Sequence, residues 1–196
     1  MTDSTSLRFI LIFPSINPRG DFLFKDLPGS GMRIDVLCRT LAACFDWAPH
    51  TNATSEIEAI VSIGESKILQ IKADPVCLGR GEVWWARVLK NSLKGSPPDF
   101  VRFMEGPLVS VLEGIKDSNH SYLYVLDESG APFSTIKLKK GVSQYSFMVG
   151  DHRGFDAQTR EMIVKLKIKS VSLGPVSLLG SHCVASIISH WERSKQ

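Results

Sequence analysis

Three short segments of this 196-residue chain combine side chains and turns capable of chemistry. The first is Lys25-Asp26-Leu27-Pro28-Gly29-Ser30-Gly31-Met32-Arg33-Ile34-Asp35, a glycine-rich turn running into a helix, where backbone N–H groups can face an anion. It lacks the Gly-Lys-Ser/Thr ending of a P-loop, and an ordinary loop with a helix entry explains it as well. Asp35 and Arg39 stand at i, i+4 and can pair, while an arginine fork beside such a loop can equally hold a phosphate. The second segment is Gly150-Asp151-His152-Arg153-Gly154. His152 could serve as a general base, although a lone histidine after a strand is more often hydrogen-bonded structure. The third, Leu173–Cys183, holds Gly174-Pro175 and then Leu178 and Leu179 before Gly180. Apolar loop residues between glycines suit the walls of an adenine slot, where backbone groups read the ring edge. Cys183 falls at a helix N-terminus, where the dipole would lower its thiol pKa, yet a small residue lining a pocket explains it too.

The elements that position these segments follow from periodicity. Leu7–Phe13 reads as a buried first strand. A helix over about 32–47 places Ile34, Leu37, Leu41 and Phe45 on one face. Residues 57–63 and 67–72 alternate around Gly64-Glu65-Ser66 as a hairpin. A helix over 81–94 is expected to turn Val83, Trp84, Val88 and Leu89 inward, and another over 107–116 opens at Pro107. Ser121–Leu126 is a strand ending in the turn signal Asp127-Glu128-Ser129-Gly130. The rest alternates strand, helix, strand, helix. Tyr145–Val149 leads to a helix capped by Asp156, and Ser170–Leu173 leads to a helix capped by Ser181 with Val184, Ile187, Ile188 and Trp191 as its stripe. That order implies an α/β fold, a largely parallel sheet flanked by helices, in one domain over residues 1–196. Ligands of such sheets sit beyond the carboxyl ends of the strands, where the second and third segments lie.

Composition narrows the class. Hydrophobic content of 43% with 22% charged residues describes a soluble globular domain, and no apolar run is long enough for a bilayer. Cytoplasmic location is the default. The net charge of +3 permits a phosphate-rich partner without demanding one, and the basic residues cluster at Lys137, Lys139, Lys140 and again at Lys165, Lys167, Lys169. Cys38, Cys44, Cys77 and Cys183 show no metal-ligand spacing, so no metal is expected. There is no GxSxG elbow and no Ser/His/Asp set, which argues against a hydrolase.

Taken in order, the segments resemble the SPOUT (α/β-knot) methyltransferases, and more narrowly the archaeal-type tRNA pseudouridine N1-methyltransferases. The match covers Leu23–Trp47 and Phe147–Trp191, with a further point at the Leu126 strand end. The resemblance implies a C-terminal trefoil knot over about 121–196, a homodimer, and S-adenosylmethionine (SAM) held in the knot loops. It implies cofactor contacts at Leu126, Gly150, Ser172, Leu173, Gly174, Leu178 and Cys183. Arg33, Asp26 and Asp35 would be catalytic, and Arg39 and Lys25 would meet the RNA, with Lys137–Lys140, Arg80 and Arg87 as a basic rim. The chain departs from the family pattern at Val176–Ser181, which has no acidic or amide residue, and at Met32, where a glycine is expected. The implied reaction is methyl transfer from SAM to N1 of a pseudouridine, with tRNA as the foremost substrate and Asp26 or Asp35 taking the proton. The rival reading is a catalytically silent dimeric RNA-binding or regulatory protein of the same fold.

Overall fold

The computed structural model describes residues 6–45, 57–64, 66–136 and 144–193. Its elements run β1 (Ser6–Phe13), α1 (Leu27–Ser30), α2 (Ile34–Phe45), β2 (Ile57–Ile63), β3 (Lys67–Lys72), α3 (Gly81–Leu93), β4 (Val101–Met104), α4 (Leu108–Asp117), β5 (Ser121–Pro132), β6 (Gln144–Val149), α5 (Ala157–Lys165), β7 (Lys169–Ser172) and α6 (Gly180–Arg193). One seven-stranded sheet has the order β4-β3-β2-β1-β6-β5-β7. β1 pairs parallel with β2 and β6, and β5 pairs parallel with β6 and β7. Only β3 runs against the rest, as the expected hairpin partner of β2. The mixed α/β sheet is therefore largely parallel, as its alternation of elements requires.

β1 and β6, at the centre of the sheet, are buried on both faces, so their hydrophobicity is nearly continuous. Leu7, Phe9, Leu11 and Phe13 of β1 belong to the larger core, and Ile10 and Ile12 to the smaller one on the opposite face. α2, α3 and α6 cover the larger face, and α4 and α5 contribute to the smaller. α2 is buried almost all round because α3 and α6 flank it as well as the sheet. The stripe Val184, Ile187, Ile188 and Trp191 of α6 is fully engaged. Each such side chain contributes roughly 1.5–3 kcal/mol relative to exposure.

Several expectations need correction. The inward face of α3 is Trp85, Val88 and Leu89, while Val83 is exposed and Trp84 only half-buried. The phase is set by Trp85, whose ring packs 5.4 Å from that of Phe45. Ser181 is not the cap of α6, which begins one residue earlier. Its first amides, from His182 and Cys183, bond the Leu179 carbonyl. β4 has no counterpart in the periodicity, because only Val101 of its four residues is buried. Asp156 does cap α5, accepting from the Thr159 N–H at 2.8 Å. Residues 46–47 of the first expected helix, and the lysines at 137, 139 and 140, lie outside the described residues.

Candidate functional site

Each of three neighbouring parallel strands ends in a turn fixed by its own side chain. After β5 reaches Leu126, the Asp127 carboxylate accepts the Ser129 N–H at 2.8 Å and its hydroxyl as well. Both Leu126 and Ala131 face Val171 of β7, so the residues between them are extruded, which is the turn expected there. After β6, Asp151 accepts the Arg153 N–H at 2.7 Å. After β7, the Ser172 hydroxyl accepts the Gly174 N–H at 3.1 Å and donates to the Gly174 carbonyl at 2.9 Å. Short Asp and Ser side chains favour such self-bonded turns, which explains their place at these strand ends.

Two glycines are required by this arrangement. A Cβ on Gly150 would stand 2.7–2.8 Å from the Gly154 carbonyl group, inside contact distance. Gly174 has φ +146, a conformation L side chains avoid, and nothing lies within 4 Å of its Cβ position.

Between the three turns lies a hollow of about 430 Å³, within the range of small-molecule sites. Its apolar wall is Leu126, Val149, Leu173, Leu178 and Leu179, with Cys183 at the start of α6 and Val36 of α2. Its polar wall carries Asp127, Glu128, His152, Arg153 and Arg160. Hydrogen bonds from the Ser129 hydroxyl and amide hold the Asp127 carboxyl below the usual carboxylate range, outweighing its partial burial. Burial, with a smaller effect of the Glu128 charge, pushes the Cys183 thiol up to about 11. The expected lowering by the helix dipole is therefore reversed. Desolvation of a thiolate exceeds the pull of the helix N-terminus here.

Of the residues assigned from sequence to the cofactor, Leu126, Gly150, Leu173, Gly174, Leu178 and Cys183 line the hollow. Ser172 stands behind it as the group that shapes the Gly174 turn. Sequence reasoning passed over Asp127 and Glu128 as turn formers, and Arg160 altogether. The signal for the acidic pair was present, since a strand end carrying two carboxylates faces the ligand crevice.

Lys25, Asp26, Arg33, Asp35 and Arg39 do not line this hollow. They lie along the segment that runs through α1 into α2, whose Val36 lines the hollow. Asp26 caps α1, its two oxygens taking the Gly29 and Ser30 N–H groups at 3.1 and 3.0 Å. Arg33 forks onto Asp35, and Arg39 takes the same carboxylate from the next turn of α2. Asp35 is buried while both arginines are more than 40% exposed, so their free edges face outward. Met32 and Arg33 have φ +51 and +67. The departure at Met32 thus falls where backbone geometry favours glycine. Around the hollow and this group, Leu23, Phe24, Met32, Val176, Leu178 and Leu179 are exposed apolar side chains. Among the described residues, no group of three or more His, Cys, Asp or Glu could hold a metal ion, and no helix is long and apolar enough to cross a membrane.

Comparison with known proteins adds four findings. A family model of SAM-dependent RNA methyltransferases matches residues 7–196. The tRNA (pseudouridine(54)-N(1))-methyltransferase of Methanococcoides burtonii is 27% identical, over 95% of this chain and 96% of its own length. The enzyme of the same name from Thermococcus kodakarensis is 30% identical, over 85% of this chain and 89% of its own. The crystal structure of Archaeoglobus fulgidus Nep1 bound to S-adenosylhomocysteine superposes with a TM-score of 0.69, covering 97% of this chain and 99% of that one, at 14% identity. That last likeness is one of fold.

Proposed function

The chain belongs to the SAM-dependent RNA methyltransferase family, together with archaeal tRNA (pseudouridine(54)-N(1))-methyltransferases, and we propose that it methylates N1 of a pseudouridine in tRNA. The observation that carries this reading is the hollow built by the three strand-end turns, lined by six of the seven residues that the family resemblance assigns to the cofactor.

The residues fit SAM. Leu126, Leu173 and Leu178 offer apolar walls to an adenine ring, and the turns at Gly150 and Gly174 leave backbone groups to read its edge. Asp127, Glu128, Arg153 and Arg160 supply both signs of charge for the ribose and amino-acid parts. When bound, SAM supplies a methyl group on a sulfonium, an electrophile that needs alignment more than acid or base assistance. Pseudouridine is carbon-linked to its ribose and keeps a proton on N1, which must leave as the N1–methyl bond forms.

Arg33 and Arg39 present outward guanidinium edges able to hold RNA phosphate, Lys25 is an exposed further cation, and Asp35 is the positioning residue between the two arginines. Their bonds favour its ionised form, so a proton placed on Asp35 would be held weakly. Asp26 is exposed and receives the N1 proton. A target base stacked in an RNA loop must turn outward to reach the donor.

The protein works as a homodimer in this reading. The exposed apolar set Leu23, Phe24, Met32, Val176, Leu178 and Leu179 is the kind of surface a second copy covers, bringing one protomer's Arg33 group to its partner's hollow. A trefoil knot over about 121–196, a single domain and cytoplasmic location complete it. The continuous sheet supports the single domain, and the convergence of the three C-terminal turns on one hollow supports the knot. Calorimetry with SAM, followed by nucleoside mass spectrometry of tRNA from cells with and without the gene, tests the proposal. Heat on SAM addition and loss of N1-methylpseudouridine in the deletion are expected. A protein that binds tRNA but gives neither heat nor thermal shift with SAM would be the silent RNA-binding protein instead.

A further inference from the structure

A second hollow, of about 610 Å³, lies beside the first halves of β5, β6 and β7 and the segment Ala131, Thr135 and Ile136, and shares no lining residue with the first. Tyr122 and Tyr124 of β5, Tyr145 of β6, and Lys169 and Ser170 of β7 line it. The three phenol rings lie nearly parallel. Tyr122 and Tyr124 have centroids 6.5 Å apart with an angle of 11° between planes, and Tyr122 and Tyr145 are 5.1 Å apart at 15°. Behind them the aromatic wall continues through Phe147 to Phe133. Tyr145 is buried, but Tyr122 and Tyr124 are only half-buried, so aromatic surface is left to the hollow.

Among the described residues that line this hollow, the one charged side chain is Lys169, and two more lysines precede it in the chain. Lys165, Lys167 and Lys169 are all exposed, at the end of α5, in the turn and at the first residue of β7. Lys167 has φ +51 in that turn. Aromatic rings beside lysines suit a nucleotide, since every base has a face to stack and every phosphate an oxygen for an ammonium group. A purely structural aromatic layer would have no need of an open volume lined by an exposed lysine.

We propose that the Tyr122/Tyr124/Lys169 hollow takes an unpaired nucleotide of the substrate RNA, away from the base that is methylated. This rests on the reading of the protein as an RNA methyltransferase. The site anchors the RNA and reads it by stacking, tolerant of base identity, with Lys169 on phosphate and Lys165 and Lys167 on the flanking backbone. It performs no chemistry, so its effect belongs to RNA affinity and not to the transfer step.

The test uses the full chain with a tRNA transcript carrying pseudouridine at position 54, and UMP as a small probe. Lys169→Glu is a surface change, and Tyr124→Leu keeps the apolar packing while removing the ring. Each is expected to weaken tRNA binding by about tenfold, the cost of one stacked base or phosphate contact. SAM affinity by calorimetry and kcat at saturating tRNA should stay within twofold of wild type. Lys169→Glu should also make the slope of log affinity against log salt shallower by about one. Unchanged tRNA affinity and KM in both variants would overturn the proposal. So would loss of UMP binding with tRNA binding intact, which would make this a free-nucleotide site. A wild-type protein that binds the tRNA without methylating it, with binding still weakened by both changes, would overturn the enzymatic reading and leave the RNA site standing.

Discussion

Arg33 holds Asp35 by two parallel bonds of 3.0 Å, Nε to Oδ1 and Nη2 to Oδ2, although only one residue separates them. A helix could not arrange this, because side chains at i and i+2 do not face each other. The left-handed backbone at Arg33 turns its side chain back over the start of α2. Burial tends to raise the Asp35 pKa, but the hydrogen bonds and charge of Arg33, with the charge of Arg39 and a backbone bond at Val36, lower it overall from 3.8. A folded pKa below the unfolded one favours the ionised form on folding, so this contribution is complete above about pH 4 and is lost as pH falls through the folded value. Thermal denaturation from about pH 2 to pH 6 should therefore show Asp35→Asn losing less stability at the acid end than wild type. Parallel acid limbs would remove Asp35 from the linkage.

Asp26 tests the proton assignment with little structural disturbance. Its two oxygens each take one N–H of α1, and asparagine keeps one of these acceptors. Asp26→Asn is therefore expected to cost about 1 kcal/mol of stability and to keep SAM affinity while lowering kcat by about 10²-fold, the scale of a lost general base. Activity should recover in part at high pH, where N1 ionises without help. A wild-type kcat would exclude Asp26 as the proton acceptor.

Met32 carries strain that the sequence alone disclosed only as a departure from the family pattern. A non-glycine residue at φ +51 costs about 1 kcal/mol. Glycine would remove that cost but lose roughly 0.5–1 kcal/mol through a more flexible unfolded chain. Met32→Gly should hence be neutral or slightly stabilising, whereas Met32→Val should lose at least about 1 kcal/mol, because a branched Cβ crowds a left-handed backbone. Urea midpoints decide it, and a valine variant as stable as wild type would show the turn to be adaptable.

What the sequence made legible was set by burial. β1 and β6 are enclosed on both faces and α6 along one stripe, so their apolar runs and spacing stood out. Trp84 and Trp85 were ambiguous because neighbouring tryptophans fit either phase of a helix, and the ring of Phe45 on another element chose between them. The hollow was legible at Gly150 and Gly174, where a side chain would meet backbone or demand a rare φ. Arg160 was not, since it comes from α5, whose pattern says nothing about the end of β6. The fork of Arg33 on Asp35 was hidden for a different reason: it depends on a left-handed backbone at Arg33, which arginine does not favour.

Cys183 separates a reactive thiol from a wall of the cofactor site. With its pKa pushed up to about 11, only about one thiol in a thousand is ionised near pH 8. Alkylation of Cys183, followed by peptide mass spectrometry, should thus be slow at that pH and climb roughly tenfold per unit up to about pH 10. Saturating SAM should slow it further by covering the side chain. Cys183→Trp should fill the hollow and abolish SAM binding by calorimetry. Cys183 is buried at the start of α6 and lines the hollow, so the added ring enters the cofactor space and the variant should keep the oligomeric state of wild type by light scattering. Fast alkylation at pH 7 that SAM does not affect, or a tryptophan variant that binds SAM normally, would place Cys183 outside the cofactor site and leave the apolar wall to Leu126, Leu173 and Leu178.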